Sequence, residues 1–274
     1  MSEKSAPSDE ERYTHGHHES VLRSHTWRTV ENSAGYLVSS IRPGLSVLDI
    51  GCGPGTITVD LARRVAPGRV IGLDASAEVI AKARTLADDE GVDTVEFVVG
   101  DAYSTGFSDD SFDIVHAHQT LQHVADPVAV LREMRRVMKP GGVVAARDVD
   151  YAGTMVYPTS PGLERWAELY QQVHRSNGGE PDAGRRLKAW AREAGFATVQ
   201  SSADIWCFAS DHDRDWWGGM WQTRVLESAF AGDAISKGLA TRADLQQISD
   251  AWRDWADDSD GWMGMPHGEV LARG

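Results

Sequence analysis

The segment Val47-Leu48-Asp49-Ile50-Gly51-Cys52-Gly53-Pro54-Gly55-Thr56 sets three glycines at alternate positions, after an apolar run and before a helical pattern. Glycine suits a turn where the backbone bends sharply and lies against a ligand, because a Cβ would collide there. The G-x-G-x-G spacing departs from the dinucleotide fingerprint G-x-G-x-x-G, and Pro54 removes one N–H that a pyrophosphate would use. A nucleoside ligand without phosphates fits better. Asp74 closes the next apolar run, where a carboxylate can accept hydrogen bonds from both ribose hydroxyls. Asp101, in Gly100-Asp101-Ala102, closes a third run and can accept from an adenine amine. Each aspartate alone reads equally well as a solvated strand end. Together they converge on one crevice.

Histidines supply the second chemistry. His116, His118 and His123 surround the end of a fourth apolar run, and His15, His17, His18 and His25 lie near the N-terminus. His118 and His123 are candidates for a base or a substrate orienter, and each also reads as a loop histidine bonded to the backbone. His116 reads as core or as support for its neighbours. Tyr13-x-His15-x-His17-His18 lacks partner carboxylates or thiols at metal spacing, so no metal is expected. Tyr13–Trp27 reads instead as an N-terminal lid, with Tyr13, His25 or Trp27 touching ligand, or as a plain capping helix.

The elements that must carry these residues alternate in type. Leu45–Ile50, Arg69–Leu73, Val95–Val99, Phe112–His116 and Val143–Arg147 read as strands. Thr56–Val65, Ser76–Glu90 and Asp126–Met138 read as helices, punctuated by Pro67-Gly68, Gly91 and Pro140-Gly141-Gly142. Apolar strands alternating with helices of ten to fifteen residues predict a doubly wound parallel sheet of the α/β class, Rossmann-like, covered on both faces. A helical pattern over about Glu19–Ser40 precedes it. After Asp150, helices are expected over Pro161–Arg175 and Arg185–Ala194, with strands at Thr198–Ala209 and Trp262–Ala272. The chain thus reads as a single domain: tail and lid helix over 1–42, a binding core over 43–150, and substrate-side helices, edge strands and a cap over 151–274. Arg147-Asp148-Val149-Asp150-Tyr151 leaves the fifth strand at the ligand edge. Asp148 or Tyr151 could meet substrate there, and a polar strand exit is the plainer reading.

Seven of the ten tryptophans fall between Ser201 and Trp262, with 12 acids against 5 bases. That density suits a helical cap over a pocket or an oligomer surface, so a homodimer is compatible with it. Trp216, Trp217 and Trp221 at helical spacing favour packing.

Over all 274 residues the formal charge is −14. An acidic chain gains nothing from phosphate counterions, which argues against nucleic acid, and anionic membrane surfaces are disfavoured for the same reason. Cys52 and Cys207 are too few for a disulfide framework. No apolar run approaches the ~18 residues of a membrane span, and the acidic start lacks the apolar stretch of a signal peptide. A cytoplasmic protein is expected.

The same residues resemble the class I S-adenosylmethionine-dependent methyltransferases, and most closely the branch of the ubiquinone/menaquinone-biosynthesis enzymes and small-molecule methyltransferases. The matching motifs are V-L-D-I-G-C-G-P-G-T at 47–56, L-D-A-S at 73–76, V-G-D-A at 99–102, F-S-D-D-S-F-D-I-V at 107–115, L-Q-H-V-A-D-P at 121–127 and L-R-E-M-R-R-V-M-K-P-G-G at 131–142. The resemblance implies a seven-stranded sheet with an antiparallel last strand and S-adenosylmethionine as donor. It puts Gly51, Gly53 and Gly55 along the methionine moiety, with Asp49 supporting the turn. Asp74 would hold the ribose, Ala75 and Val79 would flank the adenine, and Asp101 and Ala102 would read its edge. Tyr13 would close over the donor, and His118 and Gln119 would lie near its amino-acid end and methyl. His123 matches the histidine of the L-x-H-V pattern. Beyond Asp150 the match fades: about fifty residues separate two strands that relatives join by a short turn.

Methyl transfer from a sulfonium is an in-line displacement, so alignment in a dry pocket dominates, and a base helps a hydroxyl or acidic C–H acceptor. The expected activity is methylation of a small organic acceptor, aromatic or of natural-product type. Two rivals stand: a protein that binds S-adenosylmethionine without methylating, in a cyclase-like or regulatory role, and an NAD-type oxidoreductase on the same fold.

Overall fold

The computed structural model describes residues 27–274. The N-terminal candidates Tyr13, His15, His17, His18 and His25 lie outside them.

Five parallel strands form the frame: β1 (Val47–Ile50), β2 (Val70–Asp74), β3 (Val95–Val99), β4 (Phe112–His118) and β5 (Met138–Val149). Their order is β3-β2-β1-β4-β5, and the long antiparallel β8 (Trp262–Arg273) adds to the β5 edge. β7 (Thr198–Phe208) pairs along the far side of β8 and ends the sheet. These are the seven expected strands, with the last one antiparallel. An eighth, β6 (Met155–Tyr157), was not legible; it pairs with the first residues of β8, in line with β5. The β5 ladder begins at Met138, loops out over the Lys139-Pro140-Gly141-Gly142 segment, and resumes at Val143 opposite Ile114.

Alternation within the strands explains the two cores. Val47, Val70, Ile114 and Ala145 face α2 (Thr56–Val65), while Leu48, Ile71, Val115 and Ala146 face α4 (Pro127–Val137) and α6 (Leu187–Glu193). Both faces are covered, so the strands read as unbroken apolar runs. α3 (Ala77–Asp89) starts where the Ser76 hydroxyl accepts from Val79 N.

The expected long helix before Ser40 is broken. The Thr29 hydroxyl accepts from Asn32 N and the Asn32 side chain accepts from Thr29 N, a capping box that opens the four-residue α1 (Val30–Ser33). A 3₁₀ turn over Gly35–Ser40 follows, because the backbone at Ala34 leaves the helical region.

The Trp-rich region carries its own core. α5 (Pro161–Ser176), α7 (Asp211–Glu227), α8 (Ala229–Ser236) and α9 (Arg242–Asp257) bury Trp166, Trp217, Trp221, Trp252 and Trp255 against Trp206 and Phe208 of β7 and Met263 and Met265 of β8. Trp166 stands edge-on to both Trp221 and Trp252, each at 4.9 Å between ring centres. Each fully buried indole contributes on the order of 2–3 kcal/mol through its apolar area. Some of the acidic charge sits at helix starts, where Ser210/Asp213 and Thr241/Asp244 form capping boxes. No helix among the described residues is long and apolar enough to cross a membrane.

Candidate functional site

A cleft of about 390 Å³ opens at the carboxyl ends of β1, β2, β3 and β4. Its wall includes Asp49, Gly51, Gly53, Asp74, Ala75, Val79, Ala102, His118, Gln119 and His123, ten of the residues singled out from sequence, together with Arg28, Leu73 and Thr120.

The glycine turn is stitched to β2: Gly51 N and Cys52 N both donate to the Leu73 carbonyl, at 2.7 and 3.1 Å. Gly51 has φ +69°, and a Cβ there would stand 2.3 Å from Thr120 Oγ1. Gly55, at φ +89°, does not line the cleft; its missing Cβ makes room for the Phe97 ring and Ala83, so its role is to seat α2 against β3 and α3.

The two inner aspartates differ in job. Asp49 is buried, and both its oxygens are taken: Oδ1 by His116 Nδ1 at 2.7 Å and Oδ2 by the Thr58 hydroxyl at 2.6 Å. It fixes the turn from below, and His116 is its support, as expected. Asp74 accepts from Gly53 N at 3.1 Å and Ser76 N at 3.0 Å, and its carboxylate stays at the cleft wall with lone pairs to spare. Asp101 is exposed and outside the wall, with Oδ1 accepting from Tyr103 N at 2.9 Å.

The other half of the cleft is lined by imidazoles. His118 is 5% exposed, and neither ring nitrogen has a hydrogen-bond partner among the described residues. Desolvation, then Arg28, Arg147 and two neighbouring histidines, hold it neutral far below the usual range. His123 stacks on His174 with 4.9 Å between ring centres, and burial likewise pushes it down. Behind it, His174 Nε2 donates to the Gln122 carbonyl at 2.8 Å, and burial lowers His174 to about 4. Asp148 is not a solvated strand exit. It is fully buried beneath this loop, accepts from Gln122 N, and is raised to about 8 by desolvation, so it is a neutral acid at pH 7. Tyr151 is half-buried, its ring against Tyr170, and does not line the cleft. Trp27 packs on Trp206 and Trp216 rather than on the cleft.

Sequence reasoning missed Arg28. Its Nη2 donates to Gln119 Oε1 at 2.8 Å, and its guanidinium carbon lies 5.5 Å from the Trp206 ring centre, so a cation stands at the end of the cleft away from Asp74. No local pattern marks it; only its contacts with residues 91 and 178 positions away do. Gln119 itself sits at φ +51°, a left-handed conformation uncommon for a side-chain-bearing residue.

The arrangement suits S-adenosylmethionine. The cleft offers a carboxylate at Asp74, an apolar slot formed by Leu73, Val79 and Ala102, and a guanidinium at Arg28.

Comparison with known proteins shows the family and the fold. The methyltransferase-domain family model matches residues 41–205. An uncharacterised methyltransferase of Schizosaccharomyces pombe is 35% identical over 97% of this chain and 98% of its own length. The demethylmenaquinone methyltransferase of Lactococcus lactis is 33% identical over 57% of this chain and 68% of its own. Among solved structures, the YcgJ protein of Bacillus subtilis shares the fold, with a TM-score of 0.57 and 22% identity over 89% of this chain and 99% of that one.

Proposed function

The chain belongs to the methyltransferase-domain family, an S-adenosylmethionine-dependent methyltransferase of class I, and on that premise we propose how the cleft divides the work and what it methylates. When bound, S-adenosylmethionine supplies an electrophilic methyl group on a sulfonium.

In this reading Asp74 accepts from the ribose hydroxyls, with its own orientation held by Gly53 N and Ser76 N. Ala75, Val79 and Ala102 flank the adenine, and Asp101 approaches its edge from the rim. Gly51 and Gly53 leave the backbone low along the methionine chain. Arg28 pairs with the carboxylate, through the two-pronged geometry that guanidinium offers.

The acceptor is a small organic molecule with an acidic O–H or C–H, such as a phenol or enol. The observation that carries this is His118: a buried imidazole lining the cleft, with no ring hydrogen bond among the described residues. Being neutral, it is in its base form throughout the neutral range. A weak base removes a proton best from an acid that is itself not weak, which favours phenols and enols over aliphatic alcohols. His123, beside it, orients the acceptor. A carboxylate acceptor would need neither.

The test is a panel of phenols, enols, amines and carboxylic acids incubated with S-adenosylmethionine and read by mass spectrometry. Methylated phenols or enols are expected, with His118→Phe lowering turnover roughly 100-fold or more while the affinity for S-adenosylhomocysteine holds. Methylation of carboxylic acids alone, unaffected by His118→Phe, overturns the assignment.

A further inference from the structure

One line of hydrogen bonds joins three residues that the sequence keeps far apart. Arg28 Nη2 lies 2.8 Å from Gln119 Oε1, Gln119 Nε2 lies 2.8 Å from His267 Nε2, and His267 Nδ1 lies 3.0 Å from the Met265 carbonyl oxygen. The two ends fix every role between them. A guanidinium can only donate and a carbonyl can only accept. His267 therefore carries its proton on Nδ1, its Nε2 lone pair accepts from the Gln119 amide, and the amide oxygen is left facing Arg28. No member is asked to play a reversed role.

His267 is on β8, 1% exposed, and is not part of the cleft wall. Whatever it does for the cleft passes through Gln119, whose N donates to the Arg147 carbonyl at 2.7 Å while its backbone holds the left-handed conformation. A second grip acts on the same segment. The His267 ring packs on Trp206 at 4.2 Å between centres, and the Trp206 indole N–H donates to the Asn32 carbonyl at 2.6 Å, four residues beyond Arg28. Arg28 is thus fixed at its guanidinium by an amide oxygen and at its backbone by the α1 segment, and both supports trace back to the C-terminal strands.

We propose that His267 is a positioning residue for the methyl donor: through the Gln119 amide it holds the Arg28 guanidinium at the carboxylate end of the cleft. This rests on the reading of Arg28 given above. An imidazole in the Nδ1–H form does what a residue with the opposite polarity cannot. Were Nε2 to carry a proton, it would demand the Gln119 oxygen, the amide would turn its NH₂ toward Arg28, and two donors would face each other. The side chain would then swing away, and the donor's carboxylate would lose a preoriented partner.

Calorimetry with two probes separates this from a general structural role. S-adenosylhomocysteine has the amino-acid carboxylate, and 5′-methylthioadenosine keeps the nucleoside without it. Arg28→Ala should weaken S-adenosylhomocysteine roughly 10- to 100-fold, the loss of a charge-assisted pair. His267→Leu should weaken it about 3- to 10-fold, with 5′-methylthioadenosine unchanged and KM for the donor raised more than kcat is lowered. His267→Gln, which can set an amide oxygen at the former Nε2 position, should restore most of the affinity. Equal weakening of both probes by His267→Leu would make the residue merely structural and overturn the proposal. An Arg28 effect without a His267 effect overturns the relay and leaves the arginine assignment standing; no Arg28 effect removes both. Because His267→Leu could fold poorly, the wild-type protein gives an independent reading. Nitrogen-15 NMR of the ligand-free chain should show the His267 proton on Nδ1, and a proton on Nε2 overturns the relay.

Discussion

The two halves of the cleft solve opposite electrostatic problems. On the nucleoside side the ionisable groups are aspartates, and each is tied down by donors: Asp49 by His116 and Thr58, Asp74 by two backbone N–H groups. On the side of Gln119, next to the Arg28 cation, the imidazoles and one carboxyl are held neutral: His118, His123 and His174 lowered by desolvation, Asp148 raised by it. One half spends its hydrogen bonds on holding shape and recognising a polar ligand. In the proposed reading, the other keeps uncharged imidazoles where a proton can leave the acceptor as the methyl group arrives.

The contrast can be broken from either side. The largest effect is expected at Asp49: its replacement by alanine strips His116 Nδ1 and the Thr58 hydroxyl of their partner inside the core. A loss of about 4 kcal/mol in urea unfolding is expected. A loss under about 1 kcal/mol would mean that the carboxylate is there for ligand and not for the turn.

Next comes Asp148, where the sign depends on pH. Its carboxyl is about 8 in the folded chain, above its unfolded value, so the folded state binds the proton more tightly. Its contribution to stability is therefore full below pH ~4 and is lost as pH rises toward 8. Asp148→Asn should stabilise the protein by a few kcal/mol at pH 8 and hardly at all near pH 4. A pH-independent gain would mean that the acid is not neutral in the fold. His174 runs the other way, since its folded value near 4 lies below the unfolded one and its stabilisation fades as pH falls from about 6.5 to about 4.

The smallest effect belongs to the nucleoside side proper. Asp74→Ala should cost about 2 kcal/mol in S-adenosylhomocysteine affinity by calorimetry, through one lost charge-assisted contact. An unchanged dissociation constant would refute the ribose assignment and with it the division of the cleft.

What could be read from the chain alone was whatever local pattern encodes. The strand and helix alternation over residues 45–148 is written in apolar runs and in Gly/Pro punctuation, and Thr56–Val65 and Val95–Val99 match to the residue. The glycine turn and Asp74 announce themselves because they stand at fixed offsets from strand ends, and the family motifs there are continuous in sequence. The Trp-rich region was visible as a composition, yet its destination was not: seven tryptophans look the same whether they pave a pocket, a dimer face or a core. Only the packing of α5, α7, α8 and α9 onto β7 and β8 shows that five of them, Trp206, Trp217, Trp221, Trp252 and Trp255, enter a core.

The reaction side was decided by tertiary structure. Arg28, Gln119 and His267 come from three elements, separated by 91 and 148 positions, and nothing in their neighbours foretells the meeting. Asp148 looked like any polar residue leaving a strand until the loop over Gln122 closed above it. The physical reason is the range of the forces involved. Backbone periodicity and turn chemistry act over a few residues and leave a trace in the order of side chains. Desolvation and hydrogen-bond direction depend on what the fold brings alongside, and that is specified by the whole chain.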